Sequence, residues 1–152
     1  MNVGGCLMFS TLGPDTFCEL RQAWAKINQY AHTNDFIDMH DIGDILLGER
    51  FLDPVVDMEV LMAHYATLPH MLQALKMQGV RNINKKRNPG LTGRTSWRCF
   101  EEHFAAFRTE QGKFPLTYEV VYGHAWKGEQ RRMGKGTETL IPISALKMPS
   151  NR

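Results

Sequence analysis

Alternation with a period of two runs longest between Phe114 and Trp126. Leu116, Tyr118, Val120, Tyr122, His124 and Trp126 fall on one side of an extended chain, and Thr117, Glu119, Val121, Gly123 and Ala125 on the other, because successive side chains point to opposite faces of a strand. β-Branched and aromatic residues fill the stretch without a helical spacing, which predicts a strand buried on at least one face and central to a sheet. A second alternating stretch, Val55 to Tyr65, sets Val56, Met58, Val60, Met62 and His64 against Asp57, Glu59 and Ala63 and predicts a more exposed strand. A short apolar run from Cys6 to Leu12, entered through Gly4-Gly5 and broken by Gly13-Pro14-Asp15, predicts a third.

Between the strands the spacing changes to three and four. Thr16, with Glu19 three residues on, has the form of a capping box for a helix carrying Phe17, Leu20, Trp24 and Ile27. Asp38 predicts the N-cap of a short helix with Met39, Ile42, Ile45 and Leu46 inward and Gly48 as its stop. Thr67 caps the next, with Leu68, Met71, Leu72 and Leu75 on one face and Gly79 at its end. Thr95 or Ser96 opens the last, with Trp97, Phe100, Phe104 and Phe107 on one side and Gln111-Gly112 as its close. Residues 30–37 are polar and irregular, and 80–94 are too rich in Asn, Gly and Pro for a regular element. Beyond Lys127 the chain is basic and aperiodic, reading as a mobile tail with a docking strand at Leu140-Ile141-Pro142-Ile143.

Charge changes the picture more than composition does. The 152 residues are 43% hydrophobic and 22% charged, an ordinary soluble balance for one domain, and the net charge is only +2. Residues 1–59, however, hold ten acids and three bases, whereas residues 60–100 hold no acid and seven bases: Lys76, Arg81, Lys85, Lys86, Arg87, Arg94 and Arg98. A local basic patch attracts an anionic partner, and a solvated charge run is the blander alternative. No apolar run approaches the roughly 20 residues that span a bilayer, and the start lacks the order of a signal peptide, so a cytoplasmic protein is expected. Cys6, Cys18 and Cys99 sit in apolar segments without ligand spacing and are expected as buried thiols.

Candidate chemistry is sparse. Gly134-Lys135-Gly136-Thr137 lacks both the earlier glycine and the hydroxyl directly after lysine that a phosphate loop needs. The six histidines show no His-Glu-x-x-His pattern, so no metal ligand is assigned. His124 is expected as a hydrogen-bonded core histidine, and Trp97 with the phenylalanines behind it as core or as a wall beside the basic loop. Arg87 and Arg94 are the stronger candidates, because guanidinium forks grip carboxylate or phosphate in bidentate fashion and these two flank the Pro89-Gly90 turn.

Five blocks in order carry a resemblance: Gly5 to Asp15, Asp38 to Asp44, Asp53 to Glu59, Gly90-Leu91-Thr92-Gly93-Arg94, and Thr117 to Trp126. Together they resemble the C-terminal half of the malonyl-[acyl-carrier protein] O-methyltransferases of biotin synthesis. The resemblance implies an α/β chain, the C-terminal half of a Rossmann-like methyltransferase fold. Its three-stranded mixed sheet has the last strand antiparallel in the middle, covered by about four helices. It also implies that residues 1–127 form this portion, with a substrate cap at 30–112 and a basic tail at 128–152. The co-substrate is S-adenosylmethionine, whose main site is expected outside this chain, since in the family it lies upstream, in the first strands of the sheet. Arg87, Arg94 and Asn82 are implied as substrate-binding, and Arg81, Lys85 and Lys86 as contacts to malonyl-acyl carrier protein. No catalytic, cofactor-binding or metal-ligating residue is assigned. Further expected partners are the N-terminal half of the same enzyme or a second copy, and neither a membrane nor nucleic acid. The alternative is a non-catalytic half-fold that binds an acidic protein or nucleic acid through the basic loop.

Overall fold

A computed structural model describes residues 1–79 and 81–128; the expected tail, the Leu140–Ile143 strand and the Gly134–Thr137 segment lie outside them. The chain runs β1 (Cys6–Leu12), α1 (Cys18–Ala25), α2 (Met39–Gly48), β2 (Phe51–Tyr65), α3 (Leu68–Met77), α4 (Arg94–Ala105) and β3 (Phe114–Lys127). The strand with the longest alternation is indeed the centre of the sheet, in the order β1-β3-β2. Both ladders are antiparallel, so the outer strands share one direction around an inverted centre. Strand directions are thus mixed although each neighbouring pair is antiparallel. No helix among the described residues is long and apolar enough to cross a membrane.

β2 is longer than its alternation predicts, starting at Phe51 rather than Val55. The extra turn of strand is bulged: the register shifts between Leu52 and Val55, where Asp53 takes φ 48° and Pro54 has no N–H to offer a ladder. Asp38 and Thr67 cap as expected, accepting the His40 and His70 N–H groups at 2.8 and 3.3 Å. α4 does not start where its hydroxyls suggest. Gly93 is its N-cap, without a side-chain cap, which places Arg94 in the first helical turn.

β3 is buried chiefly on the side of its smaller residues. Thr117, Glu119, Val121, Gly123 and Ala125 are buried, while Tyr122 and Trp126 on the aromatic side are exposed and His124, expected in the core, is half-buried. Small residues let other chain segments approach closely. A Cβ at Gly123 would lie 2.3 Å from Cζ of Phe9 on the paired strand, so that ring lies across the glycine. Among the described residues the aromatic side is covered at the Phe114 end. There Leu116 and Phe114 join Phe17, Leu20, Trp24, Leu68, Met71, Leu75, Phe100 and Phe104 in one core built from α1, α3 and α4. The cysteines are free. Cys6 is exposed and Cys18 and Cys99 are half-buried, because the sheet around Cys6 has no covering layer among the described residues.

Candidate functional site

β1 and β2 end at the same edge of the sheet, opposite Val120 and Phe114 of β3, and the helical cap is built there: α3 follows β2, and α4 precedes β3. At the end of β1 the chain turns through Gly13–Phe17 onto β3. Thr16 Oγ1 donates to the Glu119 carbonyl and accepts the Glu119 N–H, both at 3.0 Å. The Glu119 carboxylate accepts the Asp15 N–H at 2.6 Å, and that of Glu19 accepts the Thr117 N–H at 3.1 Å and its hydroxyl at 2.5 Å. The capping box expected of Thr16 and Glu19 is therefore absent, and Phe17, at φ 61°, stands at the N-cap. Beyond the end of β1, β3 presents buried backbone groups without a strand partner on that side, and satisfying them outweighs capping a helix that can fray into water. Arg21 closes the turn by donating to the carbonyls of Thr16 and Pro14.

Phe17 then turns inward, packing edge-on against Tyr118 at 5.1 Å and Phe36 at 6.4 Å. Tyr118 is hydrogen-bonded to the Tyr65 hydroxyl (3.4 Å) and to Gln78 Oε1 (3.3 Å), and burial raises its phenol above the ordinary tyrosine value.

A flat aromatic stack continues the cap. Trp24 lies between His32, at 4.0 Å and nearly parallel, and Phe100, at 4.4 Å. Trp24, His32, Arg21, Asn28, Tyr30 and Asp35 line an open cavity of about 340 Å³. Phe100 and Phe104 are fully buried, so the phenylalanines behind Trp97 are core, and Trp24 is the aromatic that reaches the cavity. His32 Nε2 donates to Asn28 Oδ1 (2.9 Å), and burial lowers its imidazole below the ordinary value of 6.5.

The stabilisation from a neutral, stacked His32 is present above the unfolded-state value and is lost as pH falls through the lower folded value. Unfolding free energy should accordingly drop as pH falls below the ordinary histidine value of 6.5, and His32→Phe should flatten that slope. Urea titrations across this range with parallel slopes for the two proteins would remove His32 from the effect.

The basic loop is held onto the cavity's rim by asparagines. Asn82 Nδ2 donates to the Ala31 carbonyl at 2.7 Å, and Asn34 donates to the Arg81 carbonyl and accepts the Ile83 N–H. Asn84 reaches Asp35 Oδ2 at 2.9 Å, and the Lys86 carbonyl accepts the Ala31 N–H at 3.1 Å. Segment 31–35 and segment 81–86 are thereby joined side by side. Asn34, Asp35, Ile83, Asn84, Lys85 and Lys86 line a second concavity adjoining the first at Asp35.

The six residues expected to bind thus separate into different settings. Asn82 spends its amide inside the protein, also accepting the Asn84 N–H at 3.0 Å. Arg81, Lys85, Lys86 and Arg87 are exposed along the joined loop. Arg94 is exposed on α4, and among the described residues no hydrogen bond or ion pair links it to Arg87. Sequence reading passed over His32, Asn34 and Asp35, which lie in an irregular polar stretch; the partners of Asn34 and Asp35 are about fifty positions away along the chain.

No protein-family model matches the chain. A malonyl-[acyl-carrier protein] O-methyltransferase of Legionella pneumophila is 67% identical over 146 residues, which is 96% of this chain and 51% of the relative. Those of Gallionella capsiferriformans and Coxiella burnetii are 50% and 42% identical, over 84% and 94% of the chain and 43% and 51% of the relatives. By sequence the chain is similar to these methyltransferases over nearly all of its own length. It spans about half the length of the curated relatives it matches. The α/β sheet with its four helices is consistent with part of a methyltransferase fold.

The described residues do not fit the methyl donor implied by the family. In open α/β sheets such ligands sit where neighbouring parallel strands diverge, and here the two strands of common direction are separated by β3. The β1–α1 turn has no spare N–H groups for a ligand's carboxylate: those of Gly13, Asp15, Thr16 and Phe17 bind Glu119, Glu119, Gly13 and Thr117.

Proposed function

We propose that this chain is the C-terminal, acceptor-side half of a malonyl carrier-protein O-methyltransferase of biotin synthesis, with S-adenosylmethionine bound by the part of the relatives' length that it does not match. The observation that supports this most is the 67% identity to the Legionella pneumophila relative across nearly the whole chain. A malonyl carboxylate is already a nucleophile at neutral pH. The acceptor half therefore has to place it and keep water away, and no general base is required.

Arg87 and Arg94 are assigned to the carboxylate or the carrier's phosphate, and Arg81, Lys85 and Lys86 to the acidic surface of the carrier protein. Asn82 supports these contacts indirectly, by tying the loop to Ala31. The cavity along Trp24 and His32 is an apolar bed for the acyl arm beside that cationic rim.

Titration of the chain with malonyl-, acetyl- and unacylated carrier protein tests the reading. Malonyl carrier should bind best, and Lys85→Glu with Lys86→Glu should weaken it on the order of tenfold, mainly through slower association. Indifference to the acyl group, together with steeply salt-dependent binding of an oligonucleotide, would reject it.

A further inference from the structure

Arg21 sits one turn before Trp24 on α1, so the two share a helix face. Its Nη1 and Nη2 donate to the carbonyls of Thr16 and Pro14, the second at 2.6 Å. Both acceptors are neutral. The ion pairs among the described residues are His40–Asp38 and Arg98–Glu102, and no carboxylate pairs with Arg21. The acids of the same turn are used elsewhere, Glu119 on the Asp15 N–H and Glu19 on Thr117. A half-buried guanidinium that is held in place by backbone carbonyls and lacks a carboxylate partner is a cation without its counter-charge.

The same residue lines the open cavity with Trp24, His32 and Asp35. Among the described residues lining it, Arg21 alone carries a permanent positive charge and Asp35 alone a negative one. Burial favours the neutral form of His32, which therefore does not compete for an anion at neutral pH. Asp35 stands where the cavity adjoins the basic loop, with Oδ2 accepting from Asn84 at 2.9 Å. An anion inside the cavity is thus repelled at the loop end and drawn to the α1 end. The guanidinium keeps further N–H donors on Nε and on both terminal nitrogens. Because two carbonyls already fix it, little side-chain freedom is lost when it grips a ligand. Arg87 and Arg94, exposed and with side chains that make no hydrogen bond among the described residues, would have to be ordered first.

We infer that Arg21 seats the free carboxylate of the acceptor and so selects a malonyl over an acetyl thioester. The inference rests on the half-enzyme reading above. The acyl arm lies along Trp24 and His32, its carboxylate takes the remaining N–H groups of Arg21, and the arginines of the rim are left to the carrier's phosphate. A malonyl group supplies the counter-charge that the guanidinium lacks. An acetyl group leaves it unpaired, and the difference between the two is the selectivity. A fixed cation also keeps the carboxylate ionised, which is the form that attacks a methyl donor.

The test is titration of the chain, Arg21→Leu and Arg21→Lys with malonyl-, acetyl- and unacylated carrier protein, with circular dichroism to confirm that each variant is folded. Arg21→Leu should lose about tenfold in affinity for the malonyl carrier and bind the other two as before, and Arg21→Lys should recover part of the loss. A folded Arg21→Leu that keeps the malonyl preference overturns the inference. So does equal weakening toward all three carriers, which is what a role confined to closing the turn would produce, and so does loss of the preference in Arg87→Leu or Arg94→Leu with Arg21→Leu unaffected. Since Arg21→Leu also removes the turn's two hydrogen bonds, a second measurement uses the unaltered chain: phenylglyoxal modification of Arg21, followed by peptide mass spectrometry. Malonyl carrier protein should slow it and acetyl carrier protein should not; equal rates with the two overturn the inference. Absence of any malonyl preference in the unaltered chain removes the half-enzyme reading together with the inference, whereas a preference that survives Arg21→Leu removes the inference alone.

Discussion

Gly13→Ala is expected to destabilise the chain by about 2–4 kcal/mol, through loss of a charged hydrogen bond and overpacking. A Cβ at this position would stand 2.4 Å from Cδ of Glu119 and 2.6 and 2.8 Å from its two carboxylate oxygens. Glu119 is only 4% exposed, so the carboxylate has little room to withdraw, and withdrawal breaks its bond to the Asp15 N–H. The turn then loses its hold on β3. Urea unfolding of Gly13→Ala, Glu119→Ala and the double variant completes a cycle. Glu119→Ala removes the obstructing carboxylate, so the double variant should cost clearly less than the two single costs together. Simple additivity would mean that glycine is required here for some other reason.

Phe100→Ala should cost about 3–5 kcal/mol, the usual range for deleting a fully buried ring. Phe100 is inaccessible to solvent and touches Trp24 on one side and Trp97 and Phe104 on the others. Domains of this size are typically stable by about 5–15 kcal/mol, so the variant should be near its unfolding midpoint under mild denaturant. Phe100→Leu keeps most of the volume and should lose far less. The effect should also reach the proposed acceptor cleft. Trp24 carries His32, and the segment after His32 carries the basic loop through Asn34 and Asp35. Carrier binding by folded Phe100→Ala at low temperature should fall along with stability. A stability loss below about 1 kcal/mol would contradict the stacked arrangement.

The elements themselves were legible in the residues. β3 was recognisable as the centre because its alternation is long and β-branched, and the ends of α2 and α3 because Asp38 and Thr67 bond N–H groups two and three residues away. Such signals are local. Which face of β3 is the more buried was not legible, because alternation separates two faces without ranking them. Burial followed close approach: Gly123 and Ala125 admit neighbouring chain, whereas Tyr122 and Trp126 lie on a face with no covering layer among the described residues. The basic loop was legible as cationic and irregular, but its asparagines were not legible as fasteners.

The sequence by itself determined the strands and helices, the central place of β3, the cationic loop and the resemblance to the methyltransferases, since periodicity, short-range caps, charge and ordered motifs are all properties of neighbouring residues. Only the tertiary structure decided what Thr16, Glu19 and Glu119 do. Their partners lie 98 to 104 positions away, and a polar side chain bonds whichever buried backbone group folding leaves without a mate rather than the nearest one along the chain. The same holds for Asn34, Asn82 and Asn84, whose amides join two loops that no local pattern connects.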